Sequence, residues 1–153
     1  MQRRDAIRTG ISATSLATLW AAGLLPRTVL AAWPSDAFHA EELASAERLL
    51  VGDAVIEDSD LIDITAPDIA ENGRVVPVDV AIELTEPRSL ALLSDRNPFP
   101  LLAQARFTPR VAPRLGVRVK LGQSANLIAL VESGGKLYRK TRAVKVTAGG
   151  CNG

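Results

Sequence analysis

Three groups of residues in this 153-residue chain have types that can do chemistry. The first is Cys151, the only cysteine, in the closing run Val144-Lys145-Val146-Thr147-Ala148-Gly149-Gly150-Cys151-Asn152-Gly153. Free cysteine packs like a small hydrophobe and is among the most buried residue types. This one lies beyond the last apolar run, between residues that cannot bury it. A lone cysteine in an exported protein points to intermolecular pairing or a free reactive thiol. The second is His39, the only histidine. It falls in a helical stretch and is expected at the surface, and nothing in the sequence ties it to Cys151. The third is the trio Asp58, Asp60 and Asp63. It has the acidity of a calcium loop but lacks the loop glycine and the closing glutamate, so a solvated acidic turn is expected. No His/Cys/Asp cluster has metal-ligand spacing, and no glycine-rich strand-to-helix loop could cradle phosphate. The chain is expected to need no cofactor of its own and to lack the parts of an independent catalyst.

The spacing around Cys151 suits delivery. Five residues take the chain from Val146 to Cys151, a reach of roughly 16–18 Å when extended. Gly149 and Gly150 carry no side chain, so they can bend and enter a narrow channel. An ordinary thiol, with a pKa near 8.5, is only a few per cent thiolate at pH 7. Activation would therefore have to come from whatever protein receives the arm. Residues 148–153 are expected to form a flexible carrier arm, with Gly149, Gly150, Asn152 and Gly153 as spacers around Cys151.

The elements that must position this arm read as follows. Ser35 is a candidate N-cap, and Phe38, Leu43, Ala46, Leu49 and Leu50 follow at roughly helical spacing up to Gly52, a plausible stop. After Asp60 the period changes to two. Leu61, Ile62 and Ile64 form a short strand before Pro67. Val76, Val78, Val80, Ile82 and Leu84 alternate with Pro77, Asp79, Ala81 and Glu83, the clearest half-buried strand. Pro77 within it predicts an edge position or a bulge. Further short strands are expected at Ser89–Leu93, Leu101–Phe107, Leu115–Leu121 and Leu127–Val131. A hairpin turn is expected at Ser133-Gly134-Gly135-Lys136, and Leu137 with 143–146 supplies the last strand. Six or seven short strands with one early helix predict an antiparallel β-sandwich over residues 32–147.

The first thirty-odd residues read as a leader. Arg3-Arg4 and Arg8 precede an uncharged, mildly apolar stretch from Gly10 to Leu25, and Val29-Leu30-Ala31-Ala32 offers a cut after Ala31 or, next to it, Ala32. The arginine pair suggests the twin-arginine route and a periplasmic destination, although Ala6 stands where that signal usually has a bulky apolar residue. About 16 uncharged residues fall short of the roughly 20 that span a bilayer, so no membrane anchor is expected.

Beyond residue 31 the chain has 14 Lys/Arg against 16 Asp/Glu, but they are segregated. Residues 32–105 hold 15 acids and 4 bases, and residues 106–153 hold 10 bases and Glu132 alone as an acid. Either acidic and basic strands lie side by side and neutralise each other, or the basic half forms a surface that steers anions. The scarcity of aromatics, with one Tyr, three Phe and two Trp, argues against single-stranded nucleic acid as a ligand.

The tail, taken with Ala66-Pro67-Asp68-Ile69-Ala70-Glu71-Asn72-Gly73, Val76-Pro77-Val78, Asn97-Pro98-Phe99-Pro100, Phe107-Thr108-Pro109-Arg110-Val111 and Leu121-Gly122-Gln123-Ser124, resembles the SoxY family. That family consists of sulfur-carrier subunits of bacterial thiosulfate oxidation, which end in Gly-Gly-Cys-Gly-Gly. The resemblance covers essentially the whole chain, with Asn152 in place of a glycine. It implies an immunoglobulin-like sandwich paired with a SoxZ β subunit, and Cys151 as the attachment point for thiosulfate-derived adducts. It also implies partners that carry the cofactors: a haem c enzyme that loads the thiol, a manganese thiosulfohydrolase, and in many organisms a sulfane dehydrogenase. The competing readings are an exported binding module that uses Cys151 for a stable intermolecular disulfide, and a thiol enzyme using His39.

Overall fold

Alternation from Val76 onward places Val76, Val78, Val80 and Ile82 on one buried face. These residues form the central strand of one of two sheets in the computed structural model, which describes residues 34–147. The smaller sheet has the order β2 (Ile62–Thr65), β4 (Val76–Ile82), β7 (Arg114–Val119), and both of its pairings are antiparallel. The larger sheet runs β1 (Ile56–Asp58), β9 (Lys136–Val146), β8 (Ala125–Ser133), β5 (Pro87–Ser94), β6 (Leu101–Arg106), with the two-residue β3 (Ile69–Ala70) also on β9. The two sheets face each other across Ile62, Ile64, Val76, Val80, Leu90, Leu92, Leu127, Val131 and Val144. This is the expected immunoglobulin-like sandwich.

β5 and β8 are apolar on both faces because the larger sheet is covered twice. Leu90 and Leu92 face the smaller sheet, whereas Ala91 and Leu93 face two helices, α1 (Ser35–His39) and α2 (Leu43–Val51). Ala37 and Ala46 are the helices' fully buried contacts, and their small size lets the helix layer sit close to the sheet.

Several expectations need correction. One helix was expected between Ser35 and Gly52, and the described residues form two there, because the chain turns extended at Ala40 (φ −65°, ψ 131°). His39 marks that end: its Nδ1 lies 2.7 Å from the Ser35 carbonyl, which accepts the ring N–H. Ser35 is not a cap. Pro34 holds the N-cap position, its carbonyl accepts from the Phe38 N–H at 3.2 Å, and the Ser35 hydroxyl donates to Asp36. Pro67 follows β2 as expected, but Pro77 lies on neither an edge strand nor a bulge. β4 is central, yet its pairing with β2 stops at Asp79, so at Pro77 only β7 is alongside and the missing N–H breaks no ladder there. Among the described residues nine strands replace the expected six or seven, and two of them, β1 and β3, run parallel to β9. The last strand is continuous over eleven residues. The predicted hairpin is present: Gly134 and Gly135 connect β8 to β9 with φ 57° and 76°, the left-handed pair that a two-residue hairpin requires.

Candidate functional site around the C-terminal strand

Cys151, Gly149, Gly150, Asn152 and Gly153 lie outside the described residues, as does the leader through Ala31. What the structure describes is the platform from which the tail departs. β9 runs towards Thr147 between two neighbours. On one side it pairs with β8 from Ser133↔Lys136 to Ala125↔Val144. On the other, β3 flanks its last residues in parallel, Ile69↔Lys145 and Ala70↔Val146. The Lys145 N–H donates to the Asp68 carbonyl at 2.9 Å and the Thr147 N–H to the Ala70 carbonyl at 3.1 Å. The Val146 N–H donates to Ser124 Oγ at 2.9 Å. The backbone is thus held up to Thr147, four residues before the cysteine.

Strand direction sorts the loops. The ends of β2, β5, β7 and β9 and the starts of β4, β6 and β8 share one end of the sandwich. The connections 66–75, 95–100 and 120–124 therefore gather around Thr147. Gly73 is the closest approach: a Cβ there would lie 2.3 Å from the Leu121 carbonyl oxygen and 2.8 Å from Val146 Cγ1. The Leu121 N–H donates to the Gly73 carbonyl at 2.7 Å, which joins the 66–75 and 120–124 loops. Asn72 shapes its loop by accepting the Arg74 N–H at 2.9 Å. Asn97 donates from Nδ2 to the Lys120 carbonyl at 2.8 Å, and Gln123 reaches the Arg96 carbonyl at 3.4 Å, which brings in 95–100. Asp95 accepts from the backbone N–H and side-chain amide of Asn126 at 2.8 and 2.7 Å. Residue types and spacing alone did not single out Gly73, Asn97 or Ser124. They entered only within the quoted stretches 66–73, 97–100 and 121–124, and those three stretches prove to be these loops. Thr108–Val111, by contrast, turns at the opposite end, where Val111 donates to the Thr108 carbonyl at 3.0 Å.

Five of the ten bases of residues 106–153 pair with acids of residues 32–105. Arg139 pairs with Asp58 at 3.1 Å, Lys140 with Asp60 at 2.6 Å, Lys136 with Glu57 at 3.7 Å, Arg142 with Asp68 at 2.9 Å and Arg114 with Asp79 at 2.7 Å. Each pair joins the acidic half to the basic half. Hydrogen bonding and charge from Lys140 hold the Asp60 carboxyl below its ordinary value, and Asp79 raises the Arg114 guanidinium above its own. Asp63 accepts from Thr65 Oγ1 at 3.0 Å. The acidic trio is therefore spent on ion pairs and a local turn, and among the described residues no cluster of three His, Cys, Asp or Glu could hold a metal. His39 is exposed on α1, bonded within its own helix.

A two-layer, mainly antiparallel sandwich with a helix cover, which gathers three loops around Thr147, defines an immunoglobulin-like domain. The chain belongs to the SoxY family: the family described as sulfur oxidation protein SoxY matches residues 47–151, a span that ends on Cys151. The structure is similar to that of the sulfur carrier protein SoxY from Chlorobium limicola f thiosulfatophilum, with 38% identity over 74% of this chain and 99% of that one and a TM-score of 0.65. Superoxide reductase (neelaredoxin) from Ignicoccus hospitalis is similar in fold alone, at 21% identity over 56% of this chain and 80% of its own, with a TM-score of 0.50. No curated protein matches the chain.

Proposed function

We propose that this chain carries sulfur covalently on Cys151 and presents it to partner enzymes, without catalysing the reactions itself. The observation that supports this most directly is the family match that runs through Cys151. The loop platform agrees with it, because it fixes the backbone up to Thr147, four residues before Cys151. Loading would join the Cys151 sulfur to the outer sulfur of thiosulfate. The thiol loses its proton, an S–S bond forms, and two electrons pass to the haem c loading enzyme. Water then attacks the terminal sulfonate at the manganese thiosulfohydrolase, so that sulfate and two protons leave and a persulfide stays on Cys151. A sulfane dehydrogenase, where present, would oxidise that outer sulfur. Residues 1–31 would direct the chain to the periplasm by the twin-arginine route and be removed after Ala31. The mature domain of residues 32–147, with its arm 148–153, would pair with a SoxZ-like subunit.

The test is the intact mass of the protein from thiosulfate-grown cells, before and after reductant. Reductant-labile masses of sulfur atoms or a thiosulfate group on the Cys151 peptide are expected. A bare thiol, or only a protein–protein disulfide, would overturn the carrier reading in favour of a disulfide-linked binding module.

A further inference from the structure

The backbone is bonded up to Thr147, and Cys151 follows four residues later, so the Cys151 Cα can stand at most about 13–14 Å from that anchor, with only its short side chain beyond. An enzyme that receives the thiol inside a channel uses up part of that length as channel depth. Its surface must therefore close on the end of the sandwich around Thr147, and the residues exposed there become part of the contact whatever the enzyme's fold. Three of them are large and apolar. Ile69 (57% exposed) lies beside Lys145 in the β3–β9 register. Val75 (53%) follows Gly73 and Arg74 in the loop that touches Val146. Phe99 (50%) sits in the turn that Asn97 ties to Lys120. Around them Arg74, Lys120 and Lys145 are exposed, with no ion-pair partner among the described residues. Of the nearby acids, Asp68 is paired with Arg142, whereas Asp95, bonded to the neutral amide of Asn126, and the exposed Glu71 keep their charges. Five of the ten bases of the basic half are paired with acids, and at this end the unpaired Arg74, Lys120 and Lys145 outnumber Glu71 and Asp95.

We infer that Ile69, Val75 and Phe99, ringed by Arg74, Lys120 and Lys145, form the docking collar of the carrier. Its occupant is an enzyme whose channel mouth has an apolar rim set among carboxylates. Apolar side chains at the centre of such a contact carry most of the affinity, and unpaired cations at its edge act mainly on the rate of encounter. This inference rests on the carrier reading of Cys151.

The test uses the mature chain with its SoxZ-like subunit, thiosulfate and the purified haem c loading enzyme. Loading is followed by intact mass, and the bare thiol's reactivity with a small aromatic disulfide is measured in parallel. Phe99→Asp is expected to lower kcat/KM for loading about tenfold or more, and Lys120→Glu with Lys145→Glu to lower it and flatten its dependence on salt. Both variants should react with the small disulfide at the parent rate, because the thiol itself is untouched. Loading at the parent rate in both variants would overturn the collar while leaving the carrier reading intact. Failure of the parent protein to load at all would overturn the carrier reading, and the collar with it.

Discussion

Gly73 is where the 66–75 loop, the 120–124 loop and the end of β9 come closest, so Gly73→Ala probes the platform at its tightest point. The added methyl would start 2.3 Å from the Leu121 carbonyl oxygen and 2.8 Å from Val146 Cγ1. The Val146 methyl can yield a little, but the Leu121 oxygen is backbone. The two segments must separate by about 1 Å to restore ordinary contact, and interiors this dense do not absorb such a shift freely. Separation strains the bond from the Leu121 N–H to the Gly73 carbonyl, 2.7 Å long. A lost backbone hydrogen bond costs about 1 kcal/mol and overpacking about 1–3 kcal/mol, for a total of about 2–4 kcal/mol. In a domain of this size each kcal/mol lowers Tm by about 4 °C, so a drop of roughly 8–16 °C is expected. The matched control is Gly122→Ala, one residue beyond Leu121, where a Cβ meets nothing within 4 Å. It should stay within about 0.5 kcal/mol of the parent. Thermal melts of the two variants read the difference. A Gly73→Ala protein that melts within about 2 °C of Gly122→Ala would refute the claim that this contact braces the end of β9.

Cys151→Ser should abolish every sulfur adduct seen by mass while leaving the melting curve of the parent, because the described sandwich is already closed at Thr147, bonded to Ala70. Leu92→Ala removes a fully buried side chain between the sheets and should cost about 2–5 kcal/mol in urea unfolding. The Asp60 carboxyl, held below its ordinary 3.8 by Lys140, contributes stability that is present above that value and fades as pH falls through its folded-state value. Lys140→Met should move the Asp60 midpoint upward in an NMR titration, and an unmoved midpoint would show the ion pair to be absent in solution.

Period-two patterning was a sound guide wherever one face of a strand is buried, as in β2, β4 and β7. The glycine pair of the β8–β9 hairpin was equally legible, because few residues tolerate its backbone. Reading failed where long-range pairing makes the element. Ile56–Asp58 and Ile69–Ala70 are too short to announce themselves, and they are strands only because β9 lies beside them. The middle of β9 reads as a charged stretch, Tyr-Arg-Lys-Thr-Arg, since Lys140 and Arg142 are drawn to Asp60 and Asp68 from remote loops. Composition showed that the charges were segregated but not whether the halves meet. Pro77 misled because edge character belongs to a position, and a central strand can outrun its neighbour. Around the tail, the quoted stretches drew attention to the right loops, but only the fold shows that a glycine at 73, an amide at 97 and a hydroxyl at 124 converge on one backbone.

The position of β9 also bears on the order in which the molecule can be made. The last strand of the described domain to leave the ribosome is not an edge strand added to a finished sheet. It sits between β8 and the parallel strands β1 and β3, whose partners on it lie roughly eighty residues away in the chain. Contacts of such separation form late and slowly. Until synthesis has passed Val146, the larger sheet lacks an interior strand, and β1 and β3 have nothing to pair with. A truncated chain is therefore left with open sheet edges and exposed core, features that mark incomplete proteins for removal. Folding thus serves as a check on length: a molecule that has closed its sheet has been translated to within a few residues of its cysteine.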